Sequence, residues 1–189
     1  MPATHASTLT ALTANLLDVL DEARSTEAAL HQIDLFRRVV AGDGIFSIQQ
    51  NVTTERDPRD QVLLRRFHSS QADRFPVQGA KRKTLTPWTE RLFVAGRVFV
   101  GEGVDVLART FDDFEQMRPY ALQSVVNVPL LQGRFCYATF NVFGTRSQWL
   151  PHEILGIRLL AMAAARWVPP APGLFYSFTG PSLACSLEA

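Results

Sequence analysis

The stretch Ser124-Val125-Val126-Asn127-Val128-Pro129-Leu130-Leu131-Gln132-Gly133-Arg134-Phe135-Cys136-Tyr137-Ala138-Thr139-Phe140-Asn141-Val142-Phe143 decides how this chain is read. Two apolar, β-branched runs, Ser124 to Leu131 and Arg134 to Phe143, meet at Gln132-Gly133, where glycine permits the positive φ of a two-residue turn. The pattern predicts a β-hairpin. Just downstream, Pro151 is placed to start a helix whose stretch Ile154 to Trp167 is apolar nearly all round, broken only by Arg158 and Arg166. Such a helix is expected to be buried on more than one side.

Upstream, Thr110 with Asp113 resembles a capping box opening a short helix that carries Phe111, Phe114, Met117 and Tyr120. Arg97 to Val100 reads as a strand, and Thr86-Pro87-Trp88 as the start of another short helix with proline at its first position. Residues 69 to 86 are irregular. Before them, Ile45 to Gln49 and Val62 to His68 are strand-like around the turn-rich residues 51 to 60, which predicts a second hairpin. Two amphipathic helices open the chain. The first runs from Thr8 to about Asp21 behind a Ser7 cap, and the second follows Ser25 with Ala29, Ile33, Phe36 and Val40 on one face until Gly42 stops it.

Strands joined as hairpins, with helices grouped at the chain ends, predict an α+β fold built on a mostly antiparallel sheet of five or six strands. The terminal helices are expected on one face. The crossover from Ser69 to Leu122, with its short helices, is expected to roof the other face and leave a pocket under its rings.

At 189 residues the chain suits one domain, expected over residues 1 to 168, with a Pro/Gly-rich tail over 169 to 189. A net charge of +1 gives no general attraction for nucleic acid or anionic lipid. The N-terminus Met1-Pro2-Ala3-Thr4-His5 has neither the basic nor the apolar region of a secretory signal, and no apolar run reaches the ~18 residues of a membrane span. A cytoplasmic protein without membrane contact is expected. Two cysteines, Cys136 and Cys185, do not make a disulfide framework or a zinc site, and both are expected as free thiols. The tail carries Leu174, Phe175, Tyr176 and Phe178, which are costly to expose, so it is expected to dock. Its own domain and a second subunit are both open as docking sites, with disorder as the third option.

The Val128-Pro129-Leu130 and Asn141 of the hairpin, with the glycine turn between them, resemble the signature of GAF domains, Ala138 standing where that family usually has glycine. Thr86-Pro87-Trp88, the Val94-Ala95-Gly96-Arg97 stretch and Trp149-Leu150-Pro151-His152-Glu153 are similar to the family in order and spacing, so that the resemblance spans roughly residues 8 to 168. The resemblance implies a non-catalytic small-molecule sensing module, with its pocket opposite the terminal helices and a habit of dimerising through them. It names neither ligand nor cofactor. Signatures of cyclic-nucleotide-binding members and a bilin-attachment cysteine are not seen. The enzyme of this fold, free methionine sulfoxide reductase, needs cysteines in the crossover, which has none.

Candidate ligand-binding residues are Trp88, Phe111, Phe114, Tyr120, Asn127, Asn141 and Arg66. Trp88, Phe114 and Tyr120 either line the cavity or fill the core. Asn127 and Asn141 lie on strands, where a buried amide must find backbone or ligand. Arg66 alternates with Leu63 and Phe67, facing either the pocket as an anion clamp or solvent. Lys81-Arg82-Lys83 reads first as a solvated loop and second as an attractor of anions to the pocket mouth. His5, His31, His68 and His152 show no metal-ligand spacing, and no nucleophile, base and orienter stand at motif spacing. A dimerising interaction module with a filled pocket is the alternative function.

Overall fold

In the computed structural model, which describes residues 15–178, six strands form one antiparallel sheet in the order β3-β2-β1-β6-β5-β4. They are β1 (Gly44–Asn51), β2 (Gln61–Ser69), β3 (Ala80–Thr84), β4 (Phe99–Glu102), β5 (Ser124–Gln132) and β6 (Phe135–Gly144). The hairpin β5–β6 sits near the centre, paired from Ser124↔Gly144 to Gln132↔Phe135. Its turn is therefore Gly133-Arg134, one residue beyond the expected Gln132-Gly133, with Gly133 at φ 58° supplying the left-handed step.

Side-chain alternation sorts the sheet into two cores. On one face, Phe46, Ile48, Val126, Val128, Phe140 and Val142 pack beneath the terminal helices. These helices are α1, helical over residues 15–22, α2 (Thr26–Ala41) and α6 (Pro151–Ala165). The Ser7 cap expected for α1 lies outside the described residues. Ser25 caps α2 by accepting a 3.1 Å hydrogen bond from the Ala28 amide, and Glu153 accepts the Leu150 amide at the start of α6. Gly156 lets α2 and α6 touch: a Cβ there would lie 2.4 Å from Val40 Cγ1. The all-round apolar character of α6 is not matched by all-round burial, because Leu155, Leu159 and Met162 are left exposed on its outer side.

The opposite face carries Ile45, Val62, Leu64, Val125 and Cys136, covered by Trp88, Leu92, Phe93, Leu107, Phe111, Phe114 and Met117 of the crossover. In the crossover, α3 (Pro87–Thr89) continues into a π-helical turn (Glu90–Val94), closed by the Ala95 amide donating to the Glu90 carbonyl at 2.9 Å. After β4 come α4 (Val104–Thr110), α5 (Phe114–Met117) and a 3-10 turn (Arg118–Tyr120). Three expectations are corrected here. Thr110 ends α4 rather than opening a helix, and its hydroxyl donates back to the Val106 carbonyl, so the capping box does not form. The strand expected at Arg97 to Val100 lies two residues later. Ala80–Thr84, expected as loop, is the edge strand β3, whose lysines and arginine suit a sheet edge.

The described part of the tail, residues 169–178, docks on its own domain. The Phe175 amide donates to the Thr53 carbonyl at 3.0 Å, and the Tyr176 hydroxyl donates to the Phe93 carbonyl at 2.9 Å while accepting the Cys136 amide at 2.8 Å. Tyr176 thus ties sheet to roof.

His68, on β2, stacks on Phe46 with ring centroids 5.0 Å apart, and its Nε2 is buried without a hydrogen-bond partner. Burial holds its pKa below the ordinary 6.5, against the opposing pull of Asp34 and Glu27. The unfolded chain therefore binds a proton that the native state resists, and stability is lost as pH falls from about 6.5 through the lower folded value. His68→Leu is expected to flatten that acid-side decline relative to wild type in urea denaturation between pH 7 and pH 5. Parallel pH profiles would contradict it.

Candidate functional site

The crossover does not press flat onto the sheet. Between them lies a cavity of about 90 Å³, open on one side. Its floor follows from strand register. Ser47, Asn141 and Asn127 are successive cross-strand partners on β1, β6 and β5, and Gln49 stands opposite Arg66 on β2, all on the crossover face. A polar row thus crosses a sheet whose neighbouring positions are Ile45, Leu64 and Phe143. Trp88, Phe111, Met117 and Leu122 make the roof.

The amides are not free to turn. Trp88 Nε1 donates to Asn127 Oδ1 at 2.9 Å, Asn127 Nδ2 donates to Asn141 Oδ1 at 2.7 Å, and Asn141 Nδ2 donates to the Thr139 carbonyl at 3.2 Å. Asn127 and Asn141 are almost wholly buried, so this chain meets their need for partners within the protein. An amide nitrogen carries two hydrogens, and each of these two donates one to the protein. The relay also fixes the Trp88 ring, whose edges meet Phe93 and Phe111 at centroid distances of 6.1 and 5.8 Å.

Positive charge gathers at one side. Arg66, Lys81 and Lys83 line the cavity with Asp113 as the carboxylate among them. Lys81 pairs with Asp113, and Lys83 reaches outward to Asp112 at 2.8 Å. Burial pushes the Asp113 carboxyl up, but the hydrogen bond and charge of Lys81 outweigh it and hold the group below its ordinary value. Burial likewise disfavours the charge on Arg66, with Asp113 compensating in part.

Five of the seven residues singled out in the sequence stand around this cavity: Trp88, Phe111, Asn127, Asn141 and Arg66. Phe114 is buried in the roof core, and Tyr120 packs edge-on against Phe75 at 5.0 Å, so neither lines it. Sequence reasoning missed Ser47, Gln49 and Asp113, and it read Lys81 and Lys83 first as part of a solvated loop and only second as an attractor of anions to the pocket mouth. Their signal was present only as strand alternation: Lys81 and Lys83 share one side of β3, while Arg82 between them pairs with Asp57 at 2.9 Å.

Cys136 offers no thiolate chemistry. It is fully buried, its Sγ lies 3.2 Å from the Ala138 carbonyl, and burial pushes its pKa well up. Among the described residues no group of three or more His, Cys, Asp or Glu could hold a metal ion, and no helix is long and apolar enough to cross a membrane.

The sequence matches no protein-family model and no curated protein. Solved structures do match. The chromophore-binding domain of a bacteriophytochrome from R. palustris superposes with a TM-score of 0.58 at 8% identity, over 85% of this chain and 60% of that one. The chain thus spans less than two thirds of that protein's length. The GAF domain of a two-component sensor histidine kinase from Bacillus halodurans gives 0.57 at 9% identity, over 76% of this chain and 94% of that one. The cyanobacteriochrome TePixJ GAF domain, from Thermosynechococcus elongatus, gives 0.53 at 16%, over 78% and 91%. With the sheet order, the placement of helices and crossover, and these superpositions in agreement, the protein has a GAF-like fold.

Proposed function

We propose that the protein is a non-catalytic small-molecule sensing module, in which a compact organic guest enters the crossover-face cavity and the crossover transmits its presence. The observation that carries this reading is the hollow itself: a ring-walled space, open on one side, whose floor presents fixed amides and whose rim is basic. Apolar walls with a few convergent polar groups are what small-molecule sites look like. The GAF-like fold supports the reading, since phytochrome, cyanobacteriochrome and histidine-kinase domains share it. Binding would stabilise one arrangement of the roof over others, and that differential affinity is the signal.

Thermal-shift screening of a metabolite library tests the proposal. A ligand at a hundred times its Kd is expected to raise Tm by roughly 5–10 °C. Trp88→Leu, which removes both the roof ring and the donor to Asn127, is expected to abolish the shift while the variant still unfolds cooperatively. A library without a single hit, or hits indifferent to Trp88→Leu, would remove the basis for the reading.

A second reading, an interaction module that dimerises through its terminal helices, is favoured by one observation. Leu155, Leu159 and Met162 recur at i, i+4 and i+7 on α6, and Leu35 and Val39 at i, i+4 on α2, all exposed. Light scattering of the wild type is expected to give a dimer that Leu159→Glu with Met162→Glu converts to a monomer. A wild-type monomer at tens of micromolar would end it. Dimerisation through the helices is compatible with sensing, because the helices and the cavity occupy opposite faces of the sheet, whereas the filled pocket of that alternative is not.

A further inference from the structure

The guest's chemical class is written in one side chain. Arg66 is held from several directions: its backbone amide donates to the Gly79 carbonyl at 3.0 Å, and its backbone carbonyl accepts the Gln78 amide at 2.9 Å. Its Nη1 donates to the Pro76 carbonyl at 3.1 Å, and its guanidinium carbon lies 5.7 Å from the centre of the Phe75 ring. What the protein leaves unused is the opposite edge of the fork. Nε is buried with no hydrogen-bond partner, and Nη2, which points the same way as the Nε–H, makes no hydrogen bond to the protein. A buried N–H left without a partner is expensive. A charged fork with two parallel donors open on one edge matches the two oxygens of a carboxylate.

We propose that the guest is a compact organic carboxylate with an apolar body, its carboxylate taken side-on by the Nε–Nη2 edge of Arg66. This rests on the sensing reading above and narrows it. The surrounding charge agrees: of the three cations that line the cavity, Lys81 is paired with Asp113 and Lys83 with Asp112, which leaves Arg66 without a salt-bridge partner. An incoming anion therefore meets net positive charge. The rest of the space takes the body. Trp88, Phe111, Phe143, Met117 and Leu122 offer rings and aliphatic surface, and a volume of about 90 Å³, open on one side, restricts the body to no more than one ring or one branched chain. Inorganic phosphate satisfies the charge but leaves those walls bare. A neutral amide of the same shape fills the walls but cannot make two charge-assisted bonds to the fork.

Matched acid and amide pairs separate these terms: benzoate with benzamide, phenylacetate with phenylacetamide, 3-methylbutanoate with 3-methylbutanamide, and inorganic phosphate alone. Each is titrated calorimetrically into the full chain. At least one acid is expected to bind tenfold or more tightly than its amide, with phosphate weaker than that acid. Arg66→Gln is expected to erase the acid preference, and Arg66→Lys, which keeps the charge but not the fork, to retain only part of it. Far-UV circular dichroism and a cooperative melt show that both variants fold; if Arg66→Gln does not, the wild-type acid-to-amide ratio and Arg66→Lys decide. Amides equal to their acids in every pair overturn the carboxylate assignment while leaving the sensing reading intact, as long as Trp88→Leu abolishes their binding. Phosphate as tight as the best acid also overturns it. Silence from every probe against a folded wild type overturns it too, and the sensing reading then stands or falls on the wider library.

Discussion

Asp34→Ala is expected to destabilise the protein by about 3–5 kcal/mol, the penalty for stranding a buried cation. Asp34 Oδ1 accepts Arg37 Nε at 3.0 Å and Nη2 at 2.6 Å, and its Oδ2 accepts Arg38 Nε at 3.1 Å. Arg37 is 1% exposed, and its third donor, Nη1, is taken by the Gly42 carbonyl at 2.7 Å, just beyond the end of α2. Without Asp34 the guanidinium keeps its burial and loses its counter-charge. Replacing both partners at once, as Asp34→Leu with Arg37→Met, is expected to be milder than Asp34→Ala alone, because no uncompensated charge then remains. Urea denaturation checks both: a loss of unfolding free energy under about 1 kcal/mol for the single variant, or a double variant worse than the single, contradicts the account.

Gly44→Ala is expected to cost about 3 kcal/mol or more, for a different reason. Gly44 opens β1 opposite Gly144 of β6, with φ 149°, and a Cβ built there would lie 1.9 Å from the carbonyl oxygen of Phe143. Backbone cannot swing aside as a side chain can, so the end of the β1–β6 ladder would have to open. Gly42→Ala is the control. Gly42 also has positive φ, 73°, with ψ −156°, a region open almost only to glycine, but a Cβ there meets nothing within 4 Å, so only conformational strain, about 1–3 kcal/mol, is at stake. Equal losses at the two positions would show that strain, not the clash, sets the cost.

The parts of the molecule that were legible in the sequence are those where one period dominates. Residues 124 to 143 are two apolar, β-branched runs of strand length around a glycine, so β5 and β6 were readable to within one residue of the turn. The helical stripe of α2 was equally plain. Ala80–Thr84 was not, because an edge strand of lysines and arginine has no buried side to show and earns its pairing from β2 alone. The Thr110–Asp113 pattern had the right spacing for a capping box, but Thr110 was already inside α4, bonded back to Val106.

The cavity was half legible for the same reason. Rings in the crossover pointed to a roof, and two asparagines on strands pointed to a polar floor. Their joining through Trp88 Nε1 depends on a crossover residue and two strands meeting across 39 positions of sequence, which no local pattern encodes. Arg66 illustrates the limit further. Its alternation with Leu63 and Phe67 left both faces open, and the choice was made by residues 76 to 79, whose carbonyls hold it. Phe114 and Tyr120 had the same composition signal as Phe111, yet the turn after α4 aims them into the roof core and against Phe75.

A crystal structure of the protein grown with benzoate tests the central claim most directly, since it looks into the space between Trp88 and Arg66. The account predicts density for the guest there, its ring between Trp88 and Phe143 and its carboxylate oxygens within hydrogen-bond distance of Arg66 Nε and Nη2. A map in which the crossover has closed onto the strands, with the rings interlocked and no space left, would contradict it.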